Sequence, residues 1–278
     1  MAAVKNKIAI ADLSTACPNT WCPGCGNFGI EIALKKAFVE LINEGEIKKE
    51  NLVTVSGIGC HGKITDYLNV NSFYSLHGRA LAPATGIKIA RPELTVVVTA
   101  GDGDAYGEGL DHLLFAAKRN VNLTVIIFDN RVYGLTVGQA SPTSPQHFKG
   151  NSTPDGSVDK PINPPELMLV AGATFVARAF SGDAEFLRET IKKAVLHKGF
   201  SFVEVLQPCF TFFNTYEYYQ KNTYHLEDNR DLSDVEAARV KAREWNYSDM
   251  VSPKIPLGIF YQTTADTFDE VLNSKPKK

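Results

Sequence analysis

The 278-residue sequence has no long apolar run and almost no net charge. No stretch approaches the ~20 consecutive apolar residues that span a bilayer. The early segment KIAIADLSTA is too short and too polar to be a secretion signal. A formal charge of −2 leaves no basic footprint, so nucleic acid is not an expected partner. No internal repeat is visible. Cysteine is sparse and odd in number: Cys17, Cys22, Cys25, Cys60 and Cys209. That count argues against a disulfide scaffold and for a metal or redox site in a reducing compartment, so a cytoplasmic location is expected. What remains is an ordinary globular composition, 44% apolar and 22% charged, in a chain long enough for a full core.

The order of elements carries the fold. Ile30, Leu34, Ala37 and Leu41 recur at helical spacing, with Gly45 as the stop. LVTVS (52–56), LTVVVTA (94–100) and LTVIIFD (123–129) read as buried strands, and Leu110, Leu113, Leu114 and Ala117 share one helix face. A Pro/Gly/Ser/Thr-rich loop over about 136–165 precedes the strand TFVARAF, a helix near 183–197 and the strand SFVEVL. Continuous apolar strands alternating with helices predict an α/β fold, a mostly parallel sheet covered on both faces. Residues 1–210 are expected to form the body and 211–278, aromatic and then charged, a partner-contacting C-terminal arm. In such sheets ligands gather at the carboxyl ends of the strands. Cys60, the GDGD segment, Asn130 and Cys209 each follow a strand, so four signals point to one edge.

GDGDAYGEG (101–109) and DNRVYG (129–134) begin where two of these strands end. A right-handed crossover makes those strands neighbours and sets Asp102 beside Asn130. With the backbone carbonyl of Val132 they supply three hard oxygen ligands, which two diphosphate oxygens and a water would complete to the octahedron of Mg²⁺. Backbone N–H groups from Gly103 onward face the diphosphate. This spacing resembles the thiamine diphosphate motif. A dinucleotide fingerprint with Asp129 as the ribose acid ranks lower, because Asp102 would set a bare carboxylate against the pyrophosphate.

WCPGCG (21–26) has chelate spacing, and Cys60 and Cys209 stand alone. Zinc and iron–sulfur both accept four thiolates. Four ligands drawn from three loops suit a [4Fe–4S] cluster better than a zinc ribbon, while a redox dithiol would leave Cys60 and Cys209 unused. Cys17 reads as a free thiol.

WCPGCGNFGI, SGIGCHGKI, SLHGRALAPATGIKIA, GDGDAYGEGL, FDNRVYGLT, GQASPTS and LQPC together resemble the β subunit of the 2-oxoacid:ferredoxin oxidoreductases, over about residues 18–210. The resemblance implies thiamine diphosphate with Mg²⁺, a [4Fe–4S] cluster and a separate α subunit. Cys22, Cys25, Cys60 and Cys209 would hold the cluster, and Asp102, Asn130 and Val132 the Mg²⁺. Ile58, Gly59, Cys60, His61, His77, Gly103, Asp104, Gly134 and Leu135 would line the cofactor. The activity implied is oxidative decarboxylation of a 2-oxoacid, 2-oxoglutarate or pyruvate, to acyl-coenzyme A with electrons passed to ferredoxin. The glutamate that activates the aminopyrimidine is expected on the α subunit, since only one α/β body is present.

One departure stands out: the chain reads G-L-T-V-G-Q where many members of the family, those specialised for 2-oxoglutarate or for broad 2-oxoacids, have lysine at the position of Val137. Lys63 and Arg79 remain as candidate cations. His112, His147, His197 and His225 receive no role. A non-oxidative thiamine decarboxylase subunit would not need the cysteines, and a bare iron–sulfur or zinc module would not need the Mg²⁺ motif.

Overall fold

The computed structural model describes residues 7–274 apart from Asp228 and Pro253. Its centre is an eight-stranded sheet in the order β2-β1-β3-β4-β8-β7-β10-β9. The strands are β1 (Leu52–Ser56), β2 (Asn71–Tyr74), β3 (Thr95–Gly101), β4 (Leu123–Asp129), β7 (Phe175–Phe180), β8 (Phe200–Leu206), β9 (Thr223–His225) and β10 (Ile255–Gln262), with the one-turn helix α2 (Ile64–Tyr67) between β1 and β2. A two-stranded hairpin, β5 (Val132–Tyr133) with β6 (Gln139–Ala140), lies outside the sheet. All main-sheet pairings are parallel except β10 against β7.

Side chains alternate between two cores, as the two-residue pleat requires. Val97, Ile126, Phe128, Val203 and Val205 pack under α1 (Asn27–Glu44) and α6 (Ala184–Leu196). Val96, Val98, Val125, Ile127, Phe200 and Phe202 pack on the opposite face under α3 (Leu81–Ala90), α4 (Leu110–Lys118), α5 (Pro164–Ala171) and α8 (Val235–Ala242). The expected parallel sheet with helices on both faces is therefore present. Ile30, Leu34, Ala37 and Leu41 are fully buried on α1, which ends at Gly45 with φ +83°. The Asp183 carboxylate accepts the Phe186 N–H at 3.3 Å and caps α6.

The segment after residue 210 differs from a free arm. It supplies α7 (Tyr216–Asn222), β9, α8, β10 and α9 (Phe268–Asn273), and β10 joins the sheet beside β7. Trp245 and Tyr247 are fully buried there, in a third core with Phe180, Leu206, Tyr219, Ile255 and Leu257. The pattern of IPLGIFYQ hides this strand, because Pro256 and Gly258 interrupt it and a bulge shifts its register between Ile259 and Tyr261.

Candidate functional site

Two contiguous cavities open at the carboxyl ends of β1, β3, β4 and β8. The first, about 80 Å³, is bounded by the turns that leave β1, β3 and β4. Ile58, Gly59, Cys60 and His61 come from the first turn; Asp102, Gly103 and Asp104 from the second; Asn130, Val132, Gly134 and Leu135 from the third. His77 closes the rim from the segment before α3, its ring 6.2 Å from that of Tyr133. Every residue expected to meet the cofactor or Mg²⁺ thus borders one space.

Local geometry explains the residue types. Gly103–Glu108 forms a π-helical turn, a rare widening found often at functional sites. A methyl group on Gly103 would fall 2.2 Å from a Tyr133 ring carbon, so only glycine lets the ring approach. Asp104 knits the turns together: it accepts Gly78 N–H at 2.6 Å and Ile58 N–H at 3.3 Å. His61 Nε2 lies 3.3 Å from its other oxygen, at ion-pair distance but off the hydrogen-bond axis. Burial pushes the Asp104 carboxyl up, but His61 and the Gly78 N–H outweigh it and hold the carboxyl below its ordinary value.

Asp102 is the opposite case. It is 2% exposed, and burial raises its pKa to about 6 despite hydrogen bonds from Ser141 and Thr143. The Thr143 hydroxyl lies 3.2 Å from Asp102 Oδ2 and donates at 2.7 Å to Asp129 Oδ1. Asp129 is pushed well up, by burial first and then by Asp102 and Glu204. A cluster of buried carboxylates at a cavity wall is a setting that a cation would relieve. Asn130 Oδ1 accepts Val132 N–H at 3.0 Å and, with two lone pairs, keeps one for a further partner.

The second cavity, about 270 Å³, is lined by Cys22, Cys25, Cys60 and Cys209 together with Lys63, Leu135, Val137, Phe210 and Phe212. Cys60, Asn130, Gly134, Leu135 and Gln207 border both spaces. The sulfurs of Cys60 and Cys209 lie 3.7 and 3.8 Å from where a Gly134 side chain would begin. The loops are tied together: Trp21 Nε1 donates to Cys60 O at 2.6 Å, and Gly26 N–H to Pro208 O at 3.2 Å. Burial raises the Cys25 thiol to about 11, and Cys209, Cys60 and Cys22 add to the effect. Cys60 is likewise raised by burial, with Lys63 opposing. Among the described residues no three His, Cys, Asp or Glu side chains converge to grip a single ion. Cys17 is exposed and outside this cavity. Of the two candidate cations, Lys63 lines the cysteine cavity, while Arg79 Nη1 is spent on the Glu108 carbonyl at 2.8 Å.

Two lining residues outside the sequence expectations carry buried polar atoms without a partner. Asn27 is 1% exposed and both its side-chain amide atoms lack a partner. Gln207 places Nε2 3.6 Å from Cys25 Sγ and leaves Oε1 unpartnered. The only signal was adjacency to cysteine motifs, in CPGCGN and LQPC.

Residues 57–205 match the family described as "Thiamine pyrophosphate enzyme, C-terminal TPP binding domain". Residues 208–276 match the family of the C-terminal region of the pyruvate ferredoxin oxidoreductase beta chain. The β subunit of 2-oxoacid:ferredoxin oxidoreductase 1 from Aeropyrum pernix is 43% identical, with 95% of this chain and 84% of the relative covered. The chain belongs to the β subunits of the 2-oxoacid:ferredoxin oxidoreductases. It is also 44% identical to a 2-oxoglutarate synthase subunit KorB from Archaeoglobus fulgidus, over 69% of this chain and 70% of the relative. A solved 2-oxoglutarate:ferredoxin oxidoreductase from Magnetococcus marinus, with 2-oxoglutarate, coenzyme A and succinyl-CoA bound, superimposes with a TM-score of 0.90 at 39% identity. That match covers 96% of this chain and 89% of the solved chain. The chain is thus an enzyme subunit with a thiamine diphosphate-binding domain, and a β subunit implies an α partner.

Proposed function

We propose that this β subunit, with an α subunit, converts a 2-oxoacid and coenzyme A to acyl-coenzyme A and CO₂, reducing two ferredoxin molecules by one electron each. The observation that carries the reading is the wall shared by the two cavities. Cys60 and Gly134 face both the carboxylate-bearing space and the four-cysteine space. A decarboxylase without an electron exit has no use for the second space, and a bare metal module has none for the first.

The residues fit the implied groups. Asp102, Asn130 Oδ1 and the Val132 carbonyl would hold Mg²⁺, since a buried carboxylate with a raised pKa sits at the wall of that space. Asn27, with an unpartnered buried amide, offers both a donor and an acceptor to a bound diphosphate cofactor. Cys22, Cys25, Cys60 and Cys209 would hold a [4Fe–4S] cluster, with the Gln207 amide oriented toward the Cys25 sulfur. When bound, thiamine diphosphate supplies the electron sink for decarboxylation and the cluster supplies the one-electron steps.

The chain's own part is to position and to insulate. The turns after β1, β3 and β4 fix the cofactor walls, and Asp104 locks the first two together. Leu135, Val137, Phe210 and Phe212 form an exposed apolar collar on the cysteine cavity, which would exclude water there once a partner covers it. The aminopyrimidine-activating carboxylate is assigned to the α partner. With Val137 in place of a lysine, the 2-oxoacid is not selected by a charge at that position. 2-Oxoglutarate and pyruvate are both within the proposed range.

The deciding experiment uses the complete α–β complex purified without air. Expected are visible iron–sulfur absorption, bound thiamine diphosphate, and coenzyme A-dependent ferredoxin reduction with at least one 2-oxoacid of a panel. Colourless complex that still releases CO₂ would favour the non-oxidative reading, and turnover by this chain alone would refute the need for the partner.

A further inference from the structure

Arg131 stands between Asn130 and Val132, two of the oxygen donors assigned to Mg²⁺, yet its own side chain serves neither cavity. The guanidinium is fully buried and reaches the C-terminal segment instead. Nε donates to the Thr143 carbonyl at 2.7 Å, and the two Nη groups donate to the Tyr247 carbonyl and, at 3.3 Å, to Met250 Sδ. Its flat face lies 5.1 Å from the Trp245 ring centre and 5.8 Å from that of Tyr247.

This arrangement is a costly way to fill space. A buried cation held by carbonyls, a thioether and aromatic faces recovers less of its hydration than one paired with a carboxylate. An apolar side chain would pack there without that penalty. The backbone is unusual as well: Arg131 has φ +63°, a left-handed conformation that a non-glycine residue keeps only when its surroundings enforce it. Its N–H is held by Asp129 Oδ1 at 3.0 Å, and the Ser144 hydroxyl donates to its carbonyl.

The connections converge on one task. The left-handed turn at Arg131 lets Val132 N–H close on Asn130 Oδ1 at 3.0 Å. The residue whose carbonyl Nε grips, Thr143, carries the hydroxyl that sits 3.2 Å from Asp102 Oδ2. One guanidinium therefore connects Thr143, the neighbour of Asp102, to residues 245–250, and the same residue makes the turn between Asn130 and Val132. We propose that Arg131 is a positioning residue that clamps the metal–diphosphate turn to the C-terminal segment, so that this segment sets the affinity for Mg²⁺ and thiamine diphosphate. The inference rests on the metal–diphosphate reading given above.

The test uses the complete complex, stripped of Mg²⁺ and thiamine diphosphate by chelation and reloaded over a range of Mg²⁺ concentrations. Thiamine diphosphate retained through desalting is measured for wild type, Arg131→Met, Arg131→Lys and Met250→Ala. Expected is a rise of about tenfold or more in the Mg²⁺ needed for half-saturation in Arg131→Met. Arg131→Lys, which keeps the charge but cannot reach two carbonyls in a fork, falls between it and wild type. The shift in half-saturation exceeds any change in kcat at saturating cofactor, a split that general loosening of the fold would not produce. An unchanged Mg²⁺ dependence in the arginine variants, with wild type binding normally, overturns the clamp. If Arg131→Met does not fold, Arg131→Lys and Met250→Ala decide, and wild-type dependence in both overturns it. Failure of wild type to retain thiamine diphosphate with Mg²⁺ overturns the underlying reading and the clamp with it.

Discussion

The indole of Trp21 donates to the carbonyl of Cys60 at 2.6 Å. The bond joins the loop of Cys22 and Cys25 to the turn of Cys60, two stretches 39 positions apart in the chain. The ring is fixed by edge contacts with Phe28 and Tyr67, at 5.5 and 4.9 Å between centres. Trp21→Phe keeps much of that packing and removes the donor, a loss of ~1 kcal/mol or somewhat more for a part-buried carbonyl left unpaired. On the iron–sulfur reading proposed above, the fold is expected to persist while the visible absorption of the complex bleaches several-fold faster in air. Bleaching at the wild-type rate would mean the bond does not hold the cysteine loops together.

Gly103 and Tyr133 make a second pair that can be tested by rescue. Alanine at Gly103 sets its methyl carbon against the Tyr133 ring and must displace the ring or the π-helical turn. Gly103→Ala is expected to weaken thiamine diphosphate retention by roughly tenfold, about 1.4 kcal/mol. Adding Tyr133→Ala should recover part of the loss. No recovery would place the damage in the turn itself, not in the contact.

The pair Arg178–Glu204, at 2.6 Å and fully buried, lies beneath the carboxylate cluster. The Tyr247 hydroxyl also bonds Glu204 at 2.7 Å. Arg178→Met leaves Glu204 uncompensated near Asp129, and such single deletions cost about 3–5 kcal/mol. Urea unfolding should show that loss, and Arg178→Met combined with Glu204→Leu should return more than half of it. A double variant as weak as the single one would show that packing, not stranded charge, sets the cost.

His197 gives a pH dependence independent of the cavities. Burial lowers its pKa, and its Nε2 lies 2.9 Å from Thr174 Oγ1. The folded state favours the neutral ring, while the unfolded chain takes up a proton near its ordinary pKa of about 6.5. Stability from this site is thus full above that pH and is lost as pH falls from there toward the depressed folded value. Wild type should lose more thermal stability than His197→Gln between about pH 7.5 and pH 5.5. Equal losses would rule out His197 as the source.

Much of the body was legible because its signals are local. β1, β3, β4, β7 and β8 are short apolar runs closed within two residues by glycine, aspartate or proline, and the site residues follow β1, β3, β4 and β8. The convergence of Cys60, Asp102, Asn130 and Cys209 follows from strand order alone. The misses depend on long-range partners. β2 is exposed on all four residues, so its sequence NSFY carries no burial pattern. β10 is broken by a proline and a glycine, and its pairing with β7 and β9 on either side shows why it is a strand. Asn27 and Gln207 are ordinary amides until the fold buries them at a cavity wall. Nothing in DNRVYG singles out Arg131, because the aromatic residues around its guanidinium, Phe213, Trp245 and Tyr247, lie more than eighty positions away.

The late entry of β10 has a consequence for any shortened chain. All four cavity cysteines and every residue bordering the first cavity are already present by Cys209, so a product ending there would look functionally complete. It would nevertheless leave Arg131, Arg178 and Glu204 without Tyr247 and the Trp245 face, and β7 without its outer neighbour. Such a fragment should be recovered as insoluble or protease-digested material, because the last quarter of the polypeptide is the lid on its most highly charged interior.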